Sequence, residues 1–207
     1  MAVEKIAELS NQKNSELVNY IKENKSLEKI EKLLEQDIDV NLRNRAGLAP
    51  ISFAAWHAEN PKLIKILVDY GARLNVKCSQ GKTPLMYAVK HNSNLKVTKV
   101  LLKLGSCINI QEGMGRTALM YATSNENSVA IVKELLEAGA DIHLEDRVGN
   151  TALLWAVLNN SNLEVIKLLL EAGSEINITN QYKQKPLSAA RNHRKSKELI
   201  MMLKEFK

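Results

Sequence analysis

Residues 81–88 read GKTPLMYA; the stretch returns as GRTALMYA at 115–122 and, more loosely, as GNTALLWA at 149–156. A recurring glycine-led octapeptide is either a ligand-holding turn or a structural unit used repeatedly, and the spacing separates the two. Gly47, Gly81, Gly115 and Gly149 lie 34 residues apart, as do Gly71, Gly105, Gly139 and Gly173. Leu33, Leu67, Leu101, Leu135, Leu169 and Leu203 carry the same period from end to end. Self-similarity of this length identifies an array of supersecondary units. No Gly-x-x-x-x-Gly-Lys-Ser/Thr or Gly-x-Gly-x-x-Gly context surrounds the glycines, so they are read as structural turns.

One unit predicts two short helices and an extended turn. Thr83 suits an N-cap and Pro84 the first helical position, where the missing N–H costs nothing. The first helix is expected through PLMYAVKH, ending near Asn92, a residue that tolerates a left-handed helix end. Ser26, Asn60, Asn94, Ser128, Asn162 and Ser196 occupy the expected N-cap of the second helix in six successive units. That helix carries apolar residues at helical spacing, as in LEVIKLLLEAG, and ends at a glycine C′ cap. Helices of about 8–10 residues are marginal alone, so each must bury its apolar face on the neighbouring unit, and the stack becomes the core.

In the outermost units Asp37 and Lys183 replace periodic glycines, and the outer helices are rich in Lys and Glu. Terminal units need such polar faces, and both ends of the stack are expected in this chain. The expected organisation is an N-terminal leader at 1–12, a capping repeat at 13–46, four internal repeats at 47–182 and a C-terminal capping repeat at 183–207.

Composition agrees with a stack. Hydrophobic residues make up 45% of the chain but aromatics only 4%, thin for a conventional single core. No run approaches the roughly 18–20 apolar residues of a membrane span. The start, MAVEKIAELSNQ, lacks the apolar region and cleavage site of a signal peptide. Cys78 and Cys107 do not make a disulfide framework. A cytoplasmic, reduced, soluble monomer is expected; secretion without a cleavable signal stays compatible. Net charge is +6, and from Lys183 onward eight Lys/Arg stand against Glu198 and Glu205, so the remainder cancels.

These residues resemble the ankyrin-repeat family. Gly81-Lys82-Thr83-Pro84-Leu85-Met86-Tyr87-Ala88 follows the family's Gly-x-Thr-Pro-Leu-His-x-Ala, and Leu135-Leu136-Glu137-Ala138-Gly139-Ala140-Asp141-Ile142 follows the end of its second helix. The resemblance covers residues 13–207. Two departures stand out. Ser52, Met86, Met120, Leu154 and Ser188 occupy the position of the motif histidine, and each unit is one residue longer than the usual 33, with the addition in the inter-helix loop (HNSN, NNSN). Thioether and aliphatic packing is expected to replace the lost histidine hydrogen bond, at some cost in loop rigidity. The resemblance implies an all-α solenoid of stacked helix–turn–helix units with β-turn fingers and a concave face built from fingers and first helices. It also implies a scaffold or adaptor that binds a protein partner without catalysis or cofactor. Fold alone does not fix function.

Each candidate site has a structural reading beside its functional one. Phe53, Tyr87, Tyr121 and Trp155 form an aromatic ladder at one repeat position, either packing between first helices or exposed on the concave face. Trp56 shares its register with Lys90, Ser124, Leu158 and Asn192, a position expected to face the groove. Tryptophan is enriched at binding hot spots, although Trp56 can also fold onto its neighbours. Finger residues Arg43, Arg45, Lys77, Lys82, Met114, Arg116 and Arg147 complete the candidate surface, with Lys90, Leu158, Tyr121 and Trp155 beside them. Most are basic, favouring a partner with an acidic surface. His57, His91 and His193 share one position, but packed helices lie about 8–10 Å apart, too far for ligands about 2 Å from one zinc. His143 replaces a turn asparagine as a local hydrogen-bonding substitute. Glu145 and Asp146 are expected on a solvated finger tip, and Cys78 on another; no triad geometry is indicated. The basic stretch RNHRKSKEL at 191–199 supports an alternative, anion or nucleic-acid binding through the C-terminal helix, although aromatics for base stacking are few there.

Overall fold

A computed structural model describes the backbone of residues 2–36, 38–92, 94–125, 128–159, 162–192 and 195–206, and the side chains from residue 12 onward within those spans. The chain divides into two compact units, Met1–Cys107 and Ile108–Lys207. Among the described residues all regular structure is helical.

The first unit holds α1 (Ala2–Lys22), α2 (Leu27–Leu34), α3 (Pro50–His57), α4 (Lys62–Asp69), α5 (Pro84–His91) and α6 (Leu95–Lys103). The second holds α7 (Ala118–Ala122), α8 (Ser128–Glu137), α9 (Ala152–Leu158), α10 (Leu163–Glu171), α11 (Pro186–Ala189), continued by a 3₁₀ turn at Ala190–Asn192, and α12 (Ser196–Glu205). The backbone of residues 2–12 is helical and continuous with the first repeat. In the first unit α3 packs against α1 and α5, and α4 against α6; in the second α9 packs against α7 and α11, and α8 against α10.

The two helices of each repeat differ in burial. In α5 every residue from Pro84 to Val89 is buried, and all of α7 is buried. Such helices are hydrophobic nearly all round because they are covered on several sides. The second helices are amphipathic: α10 buries Val165, Ile166, Leu169 and Leu170 and exposes Glu164, Lys167 and Glu171. Burying a leucine or isoleucine side chain is worth about 1.5–3 kcal/mol, so neighbouring repeats supply the stability that short helices lack.

The ends of the helices match the sequence in part. The Thr83, Thr117 and Thr151 hydroxyls accept from Met86, Met120 and Leu154 N–H at 3.4, 3.3 and 3.5 Å. Asn60, Asn94 and Asn162 accept from Lys62, Lys96 and Glu164 N–H at 3.1, 3.1 and 3.0 Å. The serines depart from expectation. The Ser26 hydroxyl makes no cap bond, while Ser128 and Ser196 are themselves the first residues of α8 and α12. Asn94 and Asn162 accept from the second N–H of α6 and α10, and Asn60, one residue ahead of the Pro61 cap, from the first N–H of α4.

Asn92 also departs from expectation. It is extended (φ −93°, ψ 118°) rather than left-handed. Its amide donates to Ala55 O and Ala58 O of the preceding repeat at 3.2 and 3.1 Å, and its Oδ1 accepts from Asn94 N–H at 2.8 Å. The buried side chain ties two repeats together, a role beyond that of a helix end.

At the other end of the second helices, Gly139 takes φ +86°, with its N–H on Leu136 O and Ala140 N–H on Leu135 O. The paired bonds close the last turn of α8. Met86, Met120 and Leu154 are buried in place of the motif histidine, as is Ser52, whereas Ser188 is exposed and bonds the Lys185 backbone.

Candidate functional site

The fingers between repeats are built by one internal device. In the finger at 112–116, Glu112 N–H donates to Arg116 O at 3.1 Å and Gly115 N–H to Glu112 O at 2.8 Å. Glu112 Oε1 then accepts from Met114 N–H at 2.9 Å and Arg116 N–H at 3.2 Å. Asn44, Asp146 and Asn180 do the same in their fingers, each accepting two backbone N–H groups at 2.9–3.0 Å. Cys78 fills the fifth place with the same backbone bonds, and its Sγ accepts from Tyr87 Oη at 3.5 Å. These five residues lie on the 34-residue period. Their chemical diversity hides the series from a search for repeated letters.

This corrects two expectations. Asp146 is 8% exposed, not solvated, because four N–H donors converge on its carboxylate: Val148 N, Asn150 N, Asn150 Nδ2 and Trp155 Nε1. Cys78 is likewise buried beneath its finger, while Cys107 is exposed.

Within each unit successive fingers are stitched by main chain. Ser79 N–H donates to Ala46 O at 3.0 Å, and Arg147 N–H to Met114 O and Gln181 N–H to Val148 O, both at 2.9 Å. The approach is close enough to need glycine: a Cβ on Gly115, at φ +77°, would lie 2.8 Å from Arg147 N. Side chains reinforce the stitching, with Gln111 Nε2 donating to Glu145 O at 2.7 Å and Gln181 Nε2 to Arg147 O at 2.9 Å. The loops are therefore braced without the motif histidine.

In the first unit, Trp56 is half-buried in a stack of rings. Its centroid lies 5.0 Å from His57, 5.4 Å from Tyr87 and 4.6 Å from His91, with interplanar angles of 9°, 19° and 22°. A cavity of about 300 Å³ opens beside it, lined by Trp56, His57, His91 and the polar Glu59, Asn92 and Asn94. Burial lowers the His57 pKa, with Lys22 adding to the effect. Burial also lowers His91, helped by Lys90, Lys82 and His57. Dehydration and surrounding cations both penalise the imidazolium form. Phe53 is buried below, with Lys22 Nζ 4.9 Å from its ring centroid. Arg43, Arg45, Lys77 and Lys90 are exposed and Lys82 is half-buried.

In the second unit, Trp155 is half-buried and fixed at two points. Its Nε1 donates to Asp146 Oδ2 at 2.7 Å, and Arg116 Cζ sits 4.7 Å from its ring centroid, inside the range of cation–π attraction. Met114 and Leu158 are 47% and 37% exposed, and Arg147 is exposed. Tyr121 is the exception among the candidates. At 8% exposure it packs among the first helices and offers a partner little surface. Phe53 and Tyr87 share that fate, so three rungs of the ladder are packing and Trp155 alone is partly open.

Two surface residues are missed by sequence reasoning. Lys22 lies one period before Trp56, and Tyr182, 70% exposed, shares the finger-tip register of Met114 and Val148. The period itself carries both signals.

His143 does not copy the asparagines of its register. Asn41 and Asn109 each accept from a backbone N–H of the next repeat, of Arg73 and Asp141, both at 2.8 Å. His143 instead places Nδ1 3.8 Å from Glu175 Oε1 on the surface. In the basic C-terminal stretch, Lys195 lies 3.8 Å from Glu198, and His193 and Arg194 lie outside the described residues. Among the described residues no group of three His, Cys, Asp or Glu is placed to hold a metal, and no helix is long and apolar enough to cross a membrane.

Against known proteins, a family model described as ankyrin repeats (3 copies) matches residues 17–112, 57–146 and 107–180. A search of curated proteins finds no match.

Proposed function

Because the chain belongs to the ankyrin-repeat family, whose members are generally protein–protein interaction modules and generally non-enzymatic, we propose that it captures a protein partner through its finger tips and the open side of its first helices. The first unit contributes Arg43, Arg45, Trp56, Lys77, Lys82 and Lys90. The second contributes Met114, Arg116, Arg147, Trp155 and Leu158. The observation that carries the reading is the fixing of Trp56 in a half-buried ring stack with cations around it. A rigid tryptophan presents large contact area at little entropic cost, and Trp and Arg dominate hot spots.

The test is affinity capture from the native lysate by the full chain and by Trp56→Ala, with bound proteins quantified by mass spectrometry. Three ring contacts are lost, each worth about 0.5–1.5 kcal/mol, so capture is run where circular dichroism reports both proteins folded. A protein retained by the parent and absent from the folded variant supports the reading. Equal retention of every captured protein refutes Trp56 as the contact.

A further inference from the structure

A cavity of about 700 Å³ in the first unit lies between α1 and the first finger. Val18, Leu42, Leu48 and Phe53 give it an apolar floor, while Lys22, Arg43 and Arg45 stand around it. Asn14, Asn19, Asn44 and Ser15 complete the described lining, and no carboxylate is among it. The volume is that of a cleft able to seat a side chain and its flanking backbone.

The charge around this cleft is local rather than general. From Arg43 to His91, eight Lys/Arg stand against Glu59 and Asp69, a block hidden by the overall balance of the first 182 residues. A second cavity of about 580 Å³ shares Arg43 and is lined by Arg73 and Lys77 as well. Lys22 lines the cleft and lies over the Phe53 ring, and its charge also lowers the His57 pKa.

We propose that the cleft between α1 and the first finger is a docking site for an acidic peptide segment of the partner with a bulky aliphatic anchor. The inference rests on the protein-binding reading above and names the chemistry of one part of that surface. The apolar floor accepts the anchor side chain, and the three cations take the carboxylates on either side of it. Charge complementarity of this kind steers association and excludes basic competitors. A nucleic acid fits less well, because bases bind on exposed aromatic faces, and here Phe53 is 6% exposed beneath Lys22.

The experiment is a fluorescence-anisotropy titration of the full chain with a labelled synthetic peptide carrying one leucine among glutamates, at two salt concentrations. Binding that weakens with salt is expected, because exposed charges are screened. Lys22→Glu and Arg45→Glu are each expected to weaken it by about tenfold or more, and replacing the peptide's leucine by serine to do likewise. Both protein positions are exposed, and circular dichroism checks that the variants fold. Lys96→Glu, an exposed position on α6 away from the cleft, is expected to bind like the parent. Unchanged affinity in both cleft variants overturns the proposal. So does equal binding of the serine peptide, or full displacement by inorganic polyphosphate at equal charge concentration, since either leaves generic attraction only. These results are independent of the Trp56→Ala capture experiment, so the cleft can fail while the broader reading stands.

Discussion

Adding one methyl group to Gly115 or to Gly139 tests how the repeats hold together, because both glycines have positive φ but only one is pressed by its neighbour. At Gly139, φ is +86° and an added Cβ meets nothing within 4 Å. The cost of alanine there is the left-handed conformation alone, roughly 1–2 kcal/mol. At Gly115, φ is +77°, so the same strain applies, but the Cβ would lie 2.8 Å from Arg147 N and 3.1 Å from Asp146 C. Those atoms are backbone, held by the Arg147 N–H to Met114 O bond at 2.9 Å and by the four donors on Asp146. They cannot swing aside as a flexible side chain would. Forcing the fingers apart adds an overpacking cost of about 1–3 kcal/mol and weakens a hydrogen bond worth about 0.5–1.5 kcal/mol. Gly115→Ala is therefore expected to destabilise by about 3–5 kcal/mol, and Gly139→Ala by less than half of that. Equilibrium urea unfolding followed by tryptophan fluorescence and far-ultraviolet circular dichroism measures both, with unchanged m-values required for the comparison. Equal losses in the two variants, or a larger loss at Gly139, refute the idea that finger contact demands glycine.

Asp146→Ala strips the acceptor from Trp155 Nε1, Asn150 Nδ2 and two backbone N–H groups and is expected to cost about 4 kcal/mol, at roughly 1 kcal/mol per bond. Urea midpoints measure it, and a loss below about 1 kcal/mol contradicts the role of the carboxylate. Asn92→Ala removes two bonds to the preceding repeat and is expected to cost about 2 kcal/mol. Asn159→Ala, exposed and bonded to its own helix, serves as the comparison and should cost little. For His57 and His91, the folded state holds the pKa below the ordinary value of 6.5, so the unfolded chain binds more protons and stability rises with pH. Their contribution is complete above pH 6.5 and is lost as pH falls through the lowered folded-state values. The urea midpoint should therefore fall on acidification, and less steeply in a His57→Gln, His91→Gln double variant; matching slopes would refute the assignment.

The repeat architecture was legible because glycine, proline and leucine recur at fixed positions where backbone geometry or helix packing tolerates few alternatives. The predicted PLMYAVKH helix coincides with Pro84–His91. What stayed hidden depended on reach and on chemical equivalence. Asn44, Glu112, Asp146 and Asn180 do one job with three residue types, and a search for identical letters passes over them. Serine and asparagine look interchangeable as caps, yet the hydroxyl of Ser26 and the amide of Asn94 differ in use. Tyr121 shares its register with Trp155 but not its exposure. The basic block at 43–91 was masked by summing charge over acidic neighbours on both sides.

Because four of the five fingers are shaped by a side chain that bonds its own backbone, most of the residues at their tips carry little of the structural duty. Arg45 and Ala46, Ser79 and Gln80, Gly113 and Met114, and Gln181 and Tyr182 are exposed pairs directly after the inward residue, and Arg147 is exposed beside Val148. Each main-chain link between fingers is donated by the N–H of residue 79, 147 or 181, so proline at any of these positions would remove that bond. A chain assembled this way can exchange side chains at several turn positions while the main-chain links between its repeats stay as they are.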